Sequence, residues 1–328
     1  MILSVLARLG RHGTWFLAGG LFIGLLLPPL AALLRPLLPA LIFVLTAATF
    51  LSIDWAALAI HARRPGLLVL QLAWGLVATP IIVALVARLL GLPAGLTQGL
   101  VLWAASPPLI SVPAIALLLG LDGALALWAM VAGTLVMPLT LPPLVLGLIG
   151  LALGLSIPAL MLRLVLFIGG AALLAALLRR LCGVEWLRRH TLELSGLSVL
   201  ILLLFAIAIM DGVTARLVRE PRAVLLYAAA ALIASVALQA LSFLVFSRLA
   251  RVPALTVGLV GGNKNMAIVW ANLAGAASPE LSLFFATVQL PIYVLPALLK
   301  PVYRRLGAAP APGLNPSAAS ARDGARAD

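Results

Sequence analysis

Gly261-Gly262-Asn263-Lys264-Asn265 interrupts a stretch that is otherwise almost wholly apolar, with Ala254–Val260 before it and Met266–Ala276 after it. The nearest other charges are Arg251 and Glu280. A charge at the middle of a bilayer costs about 2.5–3.5 kcal/mol on insertion scales, so a lysine held there marks a functional site. Two glycines weaken the helix at the same point, and two amides offer hydrogen bonds. A helix broken at a polar, cationic point is the form that transporter binding sites take. The plainer alternative is a lysine whose stem snorkels to the membrane surface. Its place deep in the apolar run argues against that.

The rest of the chain supports a membrane setting. It has 328 residues, 64% hydrophobic and 9% charged, with a mean hydropathy of +1.22. Soluble domains carry about 25% charged residues, so no soluble surface can be built from this inventory. The net charge of +13 is scattered between apolar runs. That is the positive-inside pattern, not the footprint of a nucleic-acid binder. The single cysteine, Cys182, excludes a disulfide framework and a thiolate metal cluster. The apolar runs hold no pair of His or carboxylate residues, so metalloenzyme and intramembrane-protease chemistry lack their parts. The expectation is a non-enzymatic integral membrane protein without a cofactor.

A spanning helix needs roughly 20 apolar residues. Ten runs qualify: about 14–34, 37–56, 66–89, 95–119, 123–148, 156–178, 195–212, 223–246, 253–276 and 280–302. Arg35-Pro36 separates the first two. Arg8, Arg11 and His12 precede a first helix read as retained rather than cleaved. With the N-terminus inside, 13 Lys and Arg residues fall in inner segments and 5 in outer ones. Both termini are then cytoplasmic. The preference for Arg over Lys, with abundant Ala and Leu, points to a GC-rich bacterial genome and so to a bacterial inner membrane. Residues 307–328 are Pro, Ala, Ser and charge, and read as a disordered tail.

An internal echo implies a duplication. Pro93-Ala94-Gly95-Leu96-Thr97 resembles Pro253-Ala254-Leu255-Thr256, and these segments open the fourth and ninth runs. Two halves of five spans each, residues 1–152 and 153–306, must have opposite topology and form an inverted repeat. Each echo leads to an interruption. In the fourth run it is Ser106-Pro107-Pro108, with Pro113 after it; in the ninth it is Gly261 to Asn265. A proline inside a helix costs about 3 kcal/mol or more, and such breaks survive in a bilayer where protein or a cavity covers them. Two kinked helices with no ligand remain the simpler alternative.

These features resemble the bile acid:sodium symporter superfamily over about residues 37–303. Leu41–Pro65 with Arg64-Pro65, Pro80 ending the third helix, Gly99–Pro138 and Gly261–Ala267 are similar to its motifs in order and spacing. The resemblance implies an all-α, ten-span protein in which discontinuous helices four and nine cross near the midplane. It implies a core domain from about 66–148 and 223–303 and a panel domain from about 14–56 and 156–212. It also implies a secondary transporter of small organic anions or amphipathic solutes working by alternating access.

The sodium ligands of that family are not kept. Its span-nine carboxylate and Gln fall on Val260 and Lys264, its span-four Ser-Asn pair on Val112-Pro113, and its span-five hydroxyls on Ala126 and Met130. Sodium beside Lys264 is electrostatically unfavourable. Transport is therefore expected to run without sodium, with the Lys264 ammonium in place of the ion. Asn263, Asn265, Ser106 and freed carbonyls are its expected partners. Lys264 then either attracts an anion or exchanges a proton, so proton coupling stays open. Ser111 ranks with Ser106 beside the break, and Thr134 and Gln289 are further polar candidates in the core spans. A small-molecule substrate and membrane lipid are the expected partners. Two alternatives are an arsenite-type efflux carrier, which needs a span-four thiolate, and a sensor or scaffold that does not transport.

Overall fold

The computed structural model describes residues 13–53, 55, 58, 65–150, 156–273 and 277–307. Arg8, Arg11, His12, Arg63, Arg64 and the tail after Gly307 lie outside the described residues. The described residues are almost entirely helical, with no strand among them.

Helix α1 is Gly13–Leu26 and α2 is Pro28–Leu34. Leu27, forced from helical geometry by the proline after it, has φ −121° and ψ 68° and makes the break between them. A 3-10 turn, Arg35–Leu37, then carries α2 directly into α3, Leu38–Ser52. The boundary expected at Arg35-Pro36 is thus inside a 25-residue run, Pro28–Ser52, and the true break lies at Leu27. Pro36 and Pro39 fall at the starts of helical segments, where a missing N–H is tolerated.

The next run is α4 (Pro65–Ala73), a π-helical turn (Trp74–Ala78) and α5 (Thr79–Leu89). Pro80 does not end a helix, as its sequence position suggested; it sits in the first turn of α5. Two short helices follow, α6 (Ala94–Ala105) and α7 (Val112–Leu118), and then the long α8, Gly123–Ile149. The second half contains α9 (Ile157–Cys182), α10 (Val184–Arg189), α11 (Thr191–Ala208), α12 (Val213–Arg219) and α13 (Pro221–Val245). The broken pair α14 (Arg251–Gly262) and α15 (Ala267–Leu273) precedes α16 (Pro279–Thr287) and α17 (Gln289–Gly307). Asp122, Ser156 and Ser278 cap α8, α9 and α16 by accepting from the N–H groups of Leu125, Ala159 and Leu281.

Six of these runs are long and apolar enough to cross a membrane, or seven if the pair Pro279–Pro296 and Leu298–Gly307, bent by 47°, counts as one. The surface is apolar. Leu89, Leu118, Leu173 and Val218 are largely exposed, while Thr79, Ser106, Ser242, Thr256, Asn263 and Lys264 are buried. Leucine outside and lysine inside suits hydrocarbon as the solvent, because there the polar groups must find partners within the protein. This is an all-α integral membrane protein.

Close packing fixes the helices around the breaks. Gly261 and Gly262 were expected to break the ninth run, but both belong to the last turn of α14. Their role is contact. A Cβ on Gly261 would overlap the Ser242 side chain, and one on Gly262 would overlap the Ser235 carbonyl, both on α13. Gly147, in contrast, has open space around it. Gly262→Ala should therefore cost about 1–3 kcal/mol through overpacking, while Gly147→Ala should be neutral or slightly stabilising. Melting curves of the detergent-solubilised variants check this, and equal melting temperatures would contradict it.

Candidate functional site

Two breaks of the same design meet inside the protein. Helices α6 and α14 each run 12 residues, and α7 and α15 each run 7. Between them lie non-helical residues 106–111 in one case and 263–266 in the other. Pro107 and Pro108 keep the first break open, because the residue before a proline avoids helical geometry; Ser106 is extended at φ −73° and ψ 155°. Pro113 does not break a helix. It stands in the first turn of α7, where its fixed φ favours helix initiation.

Pro108 and Lys264 face each other as an antiparallel bridge. Asn265 N–H donates to Pro107 O at 2.7 Å, and Leu109 N–H donates to Asn263 O at 2.9 Å. These bonds flank the Pro108–Lys264 pair instead of joining it, so the missing N–H of proline costs nothing there. The pair sets an offset of 156 residues, 264 minus 108. The starts of α6 and α14 differ by 157, 251 minus 94. The echo of Pro93 and Pro253 differs by 160 and so lies about one helical turn out of register. Pro93 is the residue before α6, whereas Pro253 is already the third residue of α14.

The Lys264 side chain is 1% exposed, and its Nζ donates to Gly75 O at 2.6 Å. That carbonyl lacks a backbone donor for a local reason. In the π turn Thr79 N–H reaches back to Trp74 O, and the next residue, Pro80, has no N–H. Gly75 O instead accepts from Lys264 Nζ and from Thr79 Oγ1, the latter at 2.9 Å. The ammonium packs directly on Gly75: a Cβ there would be in van der Waals contact with Nζ, at 3.5 Å. Among the described residues, no charged side chain pairs with Lys264.

Two cavities border the bridge. A small one of about 10 Å³ is lined by Gln71, Trp74, Gly75, Pro108, Val260 and Lys264, among others. A large one of about 610 Å³ lies on the side of Asn265 and Ser111. Its walls are mainly apolar, including Ile42, Met130, Leu202 and Phe205, with Thr46, Thr49, Ser52, Ser198 and Gln289 as polar points.

The residues singled out in the sequence therefore divide. Ser111, Pro113, Asn265 and Gln289 line the large cavity. Lys264 lines the small one. Asn263, Ser106 and Thr134 line neither, and each donates to a carbonyl one turn back: Leu259 O at 2.7 Å, Leu102 O at 2.8 Å and Met130 O at 2.8 Å. Of the partners expected for Lys264, the three side chains bond elsewhere and a freed carbonyl takes the ammonium. Asn265 Oδ1 accepts from Ala267 N–H at 3.2 Å, and Gly75 O takes the ammonium. Sequence reasoning missed Gly75, whose signal was a glycine five residues before a proline in an apolar helix. It also missed the stripe Thr46, Thr49 and Ser52, spaced to share one face of α3. Cys182 is exposed at the end of α9, and it lines neither cavity.

No protein-family model matches the chain, and no curated protein matches it.

The Gly75 carbonyl supplies a double-mutant test. Lys264→Met leaves that carbonyl without its main donor, while Pro80→Ala offers it a new N–H. Pro80→Ala should therefore stabilise the Lys264→Met protein more than the wild type, by about 1–2 kcal/mol. Additive melting shifts would contradict the link between the two helices.

Proposed function

We propose that this chain is a secondary transporter of a small organic anion or amphipathic solute, that it needs no sodium, and that the Lys264 ammonium stands where an ion would hold the crossing. The observation that carries the reading is a buried lysine at the meeting point of two broken helices, beside a cavity of ligand size. Pockets for small ligands run from about 300 to 1,000 Å³, mostly apolar with a few polar points, and the 610 Å³ cavity fits that description.

In this reading the chain has ten spans in two inverted halves of five, residues 1–152 and 153–306. The matched lengths of α6–α7 and α14–α15, and the two bridge hydrogen bonds that exchange under one offset, support it. So does the packing. α1 lies on α11 while α3 lies on α9, and α5 lies on α6 while α13 lies on α14, as exchange of the halves requires. Contacts at the helix ends fit alternate crossings. Arg35 pairs with Asp211, Arg216 with Glu280, and Arg88 bonds Leu148 O, all between turns assigned outside. Arg179 bonds Leu51 O and Ile53 O, and Asp122 N–H bonds Thr256, between turns assigned inside.

The large cavity then lies between a core of residues 66–148 and 223–303 and a panel of 14–56 and 156–212. Ser111, Asn265 and Gln289 come from the core, and Thr46, Thr49, Ser52 and Ser198 from the panel. Rocking one domain against the other moves a solute held there from face to face. When charged, Lys264 at the crossing favours an anionic group nearby. The resemblance to the bile acid:sodium symporter superfamily supports the same class, while the apolar Val112, Ala126 and Val260 at its ion-ligand positions, all buried, support the loss of sodium.

Uptake into proteoliposomes, with a radiolabelled bile acid and smaller labelled carboxylates as probes, tests this. Uptake should be the same in sodium and in choline. Lys264→Met should lower it more than tenfold while the protein remains monodisperse, and Lys264→Arg should lower it less, because a planar guanidinium replaces a compact ammonium. Strict sodium dependence, or normal uptake by Lys264→Met, would overturn the proposal.

A further inference from the structure

Gln71 is 3% exposed, and neither Nε2 nor Oε1 has a hydrogen-bond partner. A buried amide left this way costs several kcal/mol in an apolar surrounding unless something completes it. Gln71 shares the 10 Å³ cavity with Lys264, and that space holds about one water. Lys264 itself has three N–H groups when charged and spends one on Gly75 O. The unused capacities of the two side chains are complementary: an ammonium has donors to spare, and a glutamine offers an acceptor and a donor.

Apart from Lys264, none of the residues that line this cavity is an acid or a base. α4 and the π turn bring Gln71, Trp74 and Gly75, the first break brings Pro108, α8 brings Ala129, and α14 brings Val257, Val260 and Gly261. On α13, behind Gly261 and Gly262, stand Ser235, Gln239 and Ser242. Trp74 Nε1 is bonded to Ser242, and the hydroxyl of Tyr303, from α17, is bonded to Gln239 Oε1. With no carboxylate to fix the charge, Lys264 is free to change its protonation state.

We infer that Lys264 is a proton-exchange site, that Gln71 is its positioning residue through one water in the shared cavity, and that the proton is the coupling ion of the transporter. This rests on the transport reading above. In the step, an Nζ–H bond breaks, the proton passes to the oxygen of the water, and Nζ keeps the electron pair as a neutral amine. The hydronium proton leaves to bulk solvent when the crossing opens, and the reverse sequence reloads the amine from the other face. The charged form is held by Gly75 O and by the water, which in turn donates to Gln71 Oε1. In the neutral form the amine lone pair accepts from the same water.

The chain has two lysines, Lys264 and Lys300, so Lys300→Arg leaves Lys264 alone. The full-length Lys300→Arg protein, labelled with ¹⁵N-lysine and held in detergent, is followed by NMR from about pH 5 to about pH 11, a range that spans shifted and ordinary lysines. The expected result is a single one-proton transition at Lys264 Nζ. Gln71→Leu, or Gln71→Met if the first does not fold, should weaken proton binding about tenfold. A transition unmoved by either substitution overturns the inference, and so does a Lys264 signal that stays in one state throughout. Loss of the transition on replacing buffer chloride with gluconate also overturns it, because the cavity would then hold an anion. The transport reading is judged separately. If uptake fails with Lys264→Met but ignores an imposed pH gradient, proton coupling falls and the transporter stands; if Lys264→Met transports normally, the transporter reading falls first.

Discussion

A backbone N–H or C=O left without a partner in hydrocarbon costs several kcal/mol, and this constraint organises the interior of the protein. Two helices stop in the middle of the molecule, and the groups freed by one break are taken by the other: Asn265 N–H by Pro107 O, and Leu109 N–H by Asn263 O. Neither break is tolerable without its counterpart. The bridge uses the N–H groups of Leu109 and Asn265, so the N–H groups missing at Pro107 and Pro108 cost it nothing, which is why two consecutive prolines fit there. The glycines of α14 then bring α13 close enough to cover the break from behind.

Lys264 extends the same logic to a third helix. The π turn and Pro80 leave Gly75 O without a backbone donor, and the lysine supplies one. The ammonium donates to that one carbonyl and so ties the crossing to a neighbouring span. Under the proposed transport reading, a covalently held charge cannot cross with the solute as a bound ion would, whereas an amine can exchange its proton and remain in place. The large cavity begins on the other side of the same strand, at Asn265 and Ser111, so a change at Lys264 is one residue away from the wall that a solute would touch.

The membrane character and the helical fold were legible from composition, and the two interruptions from Ser106-Pro107-Pro108 and from Gly261–Asn265, although Gly261 and Gly262 belong to the helix before the break. Helix boundaries were less so. Arg35-Pro36 looked like a loop because it combines a charge with a proline, yet proline in a first turn is compatible with a continuing helix, and the chain breaks at Leu27. The pairing of Lys264 with Gly75 was not legible, because it depends on which carbonyl a π turn leaves free, and amides nearer in sequence looked like better partners. Asn263, Ser106 and Thr134 were attractive as polar residues in apolar runs; each instead bonds back to the carbonyl four residues earlier. The polar stripe on α3 was visible but lay in a segment assigned a supporting role.

The central claim is that a lysine, and not a bound ion, holds the crossing together. The melting temperature of the purified protein in sodium chloride against equal choline chloride tests it most directly, since a ligand that binds only the folded state raises stability in proportion to its occupancy. The account predicts identical melting temperatures for the wild type in the two salts, and a Lys264→Met protein that melts lower in both. A wild-type melting temperature that rises specifically with sodium would contradict it.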